Sequence, residues 1–211
     1  MKWLYNPPSL IKSIFPNFIW ESKSDKVLLT FDDGPVPGIT EIILAQLQKY
    51  SVKSVFFCVG KNVDSYSSLV KEIISEGHTI ANHTLNHTKI NRLSKTERLN
   101  EIKNCTKIIN EKLSYDVQYF RPPHGRFNVG LASELAKLNL KNVMWSLLIY
   151  DYENNIKKVE KAAESYLNRN SIVVLHDNNK SKNIISNSID IVVETAQKKN
   201  YLIGTPEECL K

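Results

Sequence analysis

Apolar positions along the chain fall into two alternating rhythms. Short β-like runs at 27–31, 54–59, 79–82, 117–120, 142–146, 172–175 and 201–204 predict seven strands. Between them, apolar residues return every three or four positions, the helical period. Ile43, Leu44 and Leu47 share one face of a helix predicted at 40–50. Leu69, Val70, Ile73 and Ile74 do so at 67–76, where Gly77 supplies the stop. Ser94 and Glu97 have the Ser-x-x-Glu spacing of a capping box and open a helix carrying Leu99, Ile102, Cys105 and Ile109. Further helices are predicted at 130–138, 155–168 and 184–198. Repeated β–α alternation implies parallel strands with helices packed outside them. Seven such units in 211 residues predict a single α/β domain, a compact or distorted (β/α) barrel, with an open doubly wound sheet as the rival.

Residues 1–25 read as an N-terminal extension packing on the barrel, and 26–211 as the domain proper. In the extension Leu10, Ile11, Ile14, Phe15, Phe18 and Ile19 recur at helical spacing, which predicts a short helix sealing the bottom of the domain; the alternative is an interfacial membrane anchor. Pro7, Pro8 and Pro16 interrupt the segment and no small-residue cleavage site follows an apolar run, so no signal peptide is expected and the default location is cytoplasmic. No stretch of 18 apolar residues exists, so no transmembrane segment is expected.

Composition narrows the classes further. With 42% hydrophobic and 24% charged residues the chain reads as an ordinary globular protein, which excludes disorder. The charge of +6 comes from 23 Lys and 5 Arg against 22 acids. Readers of phosphates and bases favour Arg, so this Lys excess reads as solvated surface and no nucleic-acid partner is expected. Cys58, Cys105 and Cys209 are odd in number and far apart, which argues against a disulfide framework or a thiolate zinc site. Cys58, inside an apolar run, reads as buried and inert.

The chemistry-bearing residues gather where predicted strands end: Thr30-Phe31-Asp32-Asp33-Gly34-Pro35, His83-Thr84-Leu85-Asn86-His87, Arg121-Pro122-Pro123-His124-Gly125, Trp145 followed by Asp151-Tyr152, and Leu175-His176-Asp177. In barrels of parallel strands that face carries the active site. Asp32 and Asp33 alone read better as an Asp-rich turn capping the next helix. His83 and His87, spaced i,i+4 as on a helical turn, put two imidazoles on one face. Two His and one carboxylate form a common ligand set for a catalytic divalent ion; Zn2+ fits it best, and Co2+, Ni2+ or Fe2+ also use it. The chain has five His, and only His78 stands outside these clusters, as a structural residue. Arg121 can hold a carboxylate ionised. Pro122 and Pro123 restrict the loop and so fix the backbone N–H of His124. His176, just past an apolar strand, suits a general acid, with Asp151 placed to orient it.

In this order the motifs resemble the polysaccharide deacetylases with a NodB-homology domain, a carbohydrate esterase family. The resemblance runs from Thr30 to Asp177 and implies a distorted (β/α)7 barrel. It implies Asp33, His83 and His87 as the metal triad, Asp32 as general base, Arg121 as the residue holding Asp32, and His176 as general acid tuned by Asp151. Pro123, His124, Tyr152 and Leu175 look like the substrate side: the His124 amide an oxyanion donor, Tyr152 and Leu175 walls of an acetyl pocket. Two positions depart from the family pattern: His124 stands where an aromatic, commonly Tyr, is usual, and Tyr152 where Trp is usual. The activity implied is metal-dependent removal of N-acetyl groups from amino sugars of a glycan, releasing acetate. Cleavage of another cyclic or small amide, or sugar binding without catalysis on the same fold, are the rivals.

Overall fold

The computed structural model describes residues 5–211. Its centre is a sheet in which every strand pair is parallel: β1 (Lys26–Asp32), β2 (Val55–Cys58), β3 (Thr79–Asn82), β4 (Tyr119–Phe120), β5 (Lys141–Asn142), β6 (Leu147–Leu148), β7 (Ile172–His176) and β8 (Leu202–Ile203). The order is β5-β4-β3-β2-β1-β7-β6, with β8 paired to the start of β1. Helices α1 (Ser9–Ile14), α2 (Thr40–Lys49), α3 (Gly60–Ser65), α4 (Ser67–Ser75), α5 (Lys95–Leu113), α6 (Leu131–Ala136), α7 (Ile156–Tyr166), α8 (Ile185–Lys198) and α9 (Pro206–Leu210) fill the connections.

The sheet curls because its two ends are one run of chain. The strand predicted at 142–146 is split: β5 bonds to β4, and four residues later β6 bonds to β7. Between them Val143 N–H reaches Phe120 O at 2.9 Å and Ser146 N–H reaches Ile172 O at 3.1 Å. A segment that changes partner midway cannot keep one regular ladder, which is why it is two short strands. Counting that run once gives seven parallel units, the distorted (β/α)7 barrel, in a single domain.

The core has two layers, set by the two-residue period of strands. Leu28, Val55, Phe57, Ala81, Tyr119, Val143 and Ile172 form the inner cluster. Their neighbours Leu29, Phe31, Phe56, Ile80, Phe120, Val173 and Leu175 pack outward with the helices. The capping box expected at α5 is present: Ser94 accepts from Glu97 N–H and the Glu97 carboxylate accepts from Ser94 N–H. The sequence reading missed α9, although Thr205 and Glu208 form a second capping box with Pro206 in the first turn.

The N-terminal helix departs from expectation. α1 buries none of its residues, and Leu10 and Ile14 are 67% and 56% exposed, so it seals nothing. The expectation for residues 1–4 lies outside the described residues. The extension is held instead by residues on either side of α1: Tyr5 packs against Tyr150 and Tyr166 and its carbonyl accepts from Leu148 N–H, Phe15, Phe18 and Trp20 pack against Phe127, and Ile19 bridges to Val143. No helix among the described residues is long and apolar enough to cross a membrane.

Candidate active site

Inward-facing positions at the C-terminal rim continue the inner core layer as polar groups. Leu28 and Thr30 lead to Asp32, Ala81 to His83, Tyr119 to Arg121, Val143 to Trp145, and Ile172 and Val174 to His176, each step two residues. Strand register levels them: Asp32 is the partner of His176 across β1 and β7, and Asn82 is the partner of Cys58 and Phe120. Remote stretches of sequence thus meet over one cavity of about 270 Å3, whose lining includes Asp32, Asp33, His83, His87, His124 and His176.

Asp33, His83 and His87 converge. Their ligand atoms lie within 4.8 Å of one another. Asp33 Oδ1 is 2.9 Å from His87 Nε2 and 3.5 Å from His83 Nε2. The His83 ring is fixed by a 2.8 Å bond between Nδ1 and the Arg121 carbonyl oxygen. A carbonyl accepts only, so Nδ1 carries a proton and Nε2 is the ring atom turned toward Asp33. Two imidazole nitrogens and a carboxylate oxygen brought this close, one ring already oriented by its other nitrogen, form a donor set that fits a divalent ion. Burial opposes the charge of Asp33, but His83 and His87 overcome it and hold the carboxyl well below the usual range. The two imidazoles do not come from a helical turn, as the spacing suggested. Residues 83–89 form a bent loop in which Thr84 (φ 68°) and His87 (φ 56°) adopt left-handed backbone.

Arg121 is fully buried and donates from all three of its guanidinium nitrogens. Nη1 donates to Asp32 Oδ1 at 2.7 Å and to Thr30 Oγ1 at 2.8 Å; Nε and Nη2 donate to the carbonyls of Val143 and Met144 at 2.9 and 2.7 Å. Its face lies over the Phe57 ring, 4.0 Å from the centroid. One residue therefore ties Asp32 to β4 and to the run that closes the sheet. Desolvation lowers the Arg121 pKa and Asp32 opposes that shift.

His176 sits on Asp151 through both carboxylate oxygens. Nδ1 is 2.7 Å from Oδ1, and the backbone N–H donates to Oδ2 at 2.7 Å. Burial works against an imidazolium there, but fully buried Asp151 outweighs it, with Asp33 and Asp32 adding to the effect, and the pKa is pushed up to about 9. His124 stands on left-handed backbone (φ 57°) with its ring 4.7 Å from that of His87; burial, His87 and Lys89 lower its pKa. Tyr152 packs edge-on against His176 at 4.7 Å.

Two residues assigned to the substrate side lie elsewhere. Leu175 is fully buried and faces the helices, because it alternates with His176; Val174 lines the cavity instead. Pro123 is buried behind the loop and shapes it without lining the cavity. The sequence reading also gave no site role to Gly125, Trp145, Leu148, Asn178 and Lys180, which line the cavity. Counting back two residues from His176 would have found Val174. Trp145 was visible as an aromatic at a strand end, and Gly125 answers it: a Cβ there would run into the indole. His78 is structural, as expected, accepting from Ser54 N–H at 3.1 Å beside Phe56.

A family model for polysaccharide deacetylases matches residues 21–143. The chain is 34% identical over 128 residues to a peptidoglycan-N-acetylglucosamine deacetylase of Bacillus cereus, covering 61% of this chain and 46% of that protein. It is 29% identical over 202 residues to the peptidoglycan-N-acetylglucosamine deacetylase PgdA of Listeria monocytogenes, covering 95% of this chain and 42% of that protein. The chain thus spans less than half the length of either relative. A solved peptidoglycan N-acetylglucosamine deacetylase superposes with a TM-score of 0.87 over 97% of both chains at 24% identity, a likeness of fold. With the strand-end motifs gathered over one cavity and the family model spanning more than half its length, the chain belongs to the polysaccharide deacetylase family.

Proposed function

We propose that the chain hydrolyses N-acetyl groups on the amino sugars of a glycan, with one divalent ion held by Asp33, His83 and His87. The observation that carries this reading is the pairing across the cavity. A carboxylate fixed by a buried Arg and a histidine raised by a buried Asp occupy partner positions in β1 and β7, beside the Asp/His/His cluster. Sugar binding alone needs neither a base nor an acid. The names of the Bacillus and Listeria relatives support an N-acetylglucosamine-containing glycan as the substrate class.

A divalent ion, with zinc the best match to two imidazoles and a carboxylate, supplies Lewis acidity: it makes a water more acidic and polarises a carbonyl oxygen. The chain's own groups do the proton work. Asp32, with Oδ1 held by Arg121, takes a proton from the attacking water. The new C–O bond forms at the amide carbon and charge gathers on the carbonyl oxygen. The amides of Gly125 and Arg126 turn back to the carbonyls of Pro122 and Pro123 at 3.0 and 3.1 Å, which leaves the His124 N–H, just before them, for that oxyanion. His176, charged at neutral pH, gives its proton to the nitrogen as the C–N bond breaks, so acetate and a free amine leave. Leu148, Tyr152 and Val174 supply an apolar lining for the methyl group. Tyr152 presents a hydroxyl in that wall, so acyl groups larger or more polar than acetyl belong in the substrate panel.

Acetate release from N-acetylglucosamine oligomers tests the reading. We expect release that stops on chelation and returns with zinc or cobalt. Release indifferent to chelation would refute the metal, and sugar binding without release would refute the chemistry.

A further inference from the structure

We infer that Asn178 is a positioning residue for the metal: it occupies one oxygen of Asp33 and so leaves a single carboxylate oxygen to face the ion. This rests on the metal reading above. The two oxygens of Asp33 have different surroundings. Oδ1 is the one near the imidazoles, 2.9 Å from His87 and 3.5 Å from His83. Oδ2 accepts a 2.6 Å hydrogen bond from Asn178 Nδ2.

The amide orientation is fixed by its other end. Asn178 Oδ1 accepts from Lys180 N–H at 2.9 Å and from Ser181 N–H at 3.2 Å. Two backbone donors on that atom make it the oxygen, so the NH2 group must point at Asp33. The loop is itself anchored, since buried Ser181 Oγ donates to His176 O at 2.5 Å. The same loop that follows the general acid therefore reaches across to the metal ligand.

Asp33 needs such a hold. It adopts φ 82°, a left-handed conformation that side chains other than glycine rarely take. A second amide helps: Asn62 Nδ2 donates to the Asp33 carbonyl at 2.9 Å. Asn62 secures the backbone and Asn178 the carboxylate plane. Groups that orient a ligand in this way typically change metal affinity by about 10–100-fold when removed.

The test is a Co2+ titration of metal-stripped protein, read by its visible absorption and by competition with a chromophoric chelator. The proteins compared are wild type, Asn178→Ser, Ser181→Ala and His83→Ala. A serine hydroxyl can still accept from the loop amides but cannot reach Asp33. The Asn178→Ser variant should bind Co2+ about 10–100-fold more weakly than wild type, with the thermal midpoint of the metal-free protein unchanged. Ser181→Ala loosens the loop anchor but leaves the Asn178 amide present, so it should weaken Co2+ binding less than Asn178→Ser does. Asn178→Ser binding as tightly as wild type, or Ser181→Ala losing as much as Asn178→Ser, overturns the inference and leaves the metal reading intact. Wild-type protein that binds no Co2+ while His83→Ala behaves identically overturns both.

Discussion

Replacing Asp32 by Asn keeps the shape of the side chain and removes its capacity to take a proton. Turnover should fall by about 10²–10⁴-fold while bound metal stays stoichiometric, measured by acetate release and metal analysis. His83→Ala should instead lose the metal. The raised pKa of His176 sets an alkaline limit. With an ion taking up the charge of Asp33, kcat should decline at or below about pH 9 as His176 loses its proton, and Asp151→Asn should move that decline to lower pH. The same pair affects stability with a definite sign. The folded pKa lies above the ordinary 6.5, so the stabilisation is complete below pH 6.5 and is lost as pH rises through about 9. Thermal midpoints of metal-free wild type and His176→Gln should therefore converge across that window. At this scale the Asp33, His83 and His87 cluster was legible because acids and histidines stand out in sequence. Val174 and Leu175 were confused because adjacent apolar residues look alike until a polar neighbour fixes which face points inward.

Elements were legible where one period persisted. The capping box announced α5, and unbroken apolar runs announced β1, β2 and β7. Prediction was poorest at 142–146, where the chain leaves β4 and joins β7, because partner exchange leaves no mark on hydrophobic pattern. Two contacts show how elements hold the site. Arg98 of α5 and Glu134 of α6, both nearly buried, form a bidentate pair at 2.8 and 2.7 Å. Glu134→Ala strands the guanidinium and should cost about 3–5 kcal/mol by denaturant unfolding. Because the pair lies away from the cavity, metal affinity should not change. Gly125→Ala should displace the loop from the Trp145 indole and lower kcat/KM without releasing the metal, since the His124 amide moves with the loop.

Over the whole molecule, the sequence motifs are scattered from Asp32 to His176, and only the parallel topology brings them to one rim. Seven βα units predicted that convergence, and strand register supplies its level. The N-terminal extension was legible only in part. Its helical spacing was real, but the helix shows its apolar residues to solvent, and contact with the barrel falls to Tyr5 before it and to Phe15, Phe18 and Trp20 after it. Net charge and composition bore on partners without pointing to any substrate, because the groups proposed to meet it are a few residues at the rim. The most direct check is to load wild type and Asp32→Asn with one zinc each and follow free acetate and new amine from chitin oligomers together. Equal amounts of both products from wild type, and almost none from zinc-loaded Asp32→Asn, are expected. Undiminished turnover by the zinc-loaded variant would contradict the account.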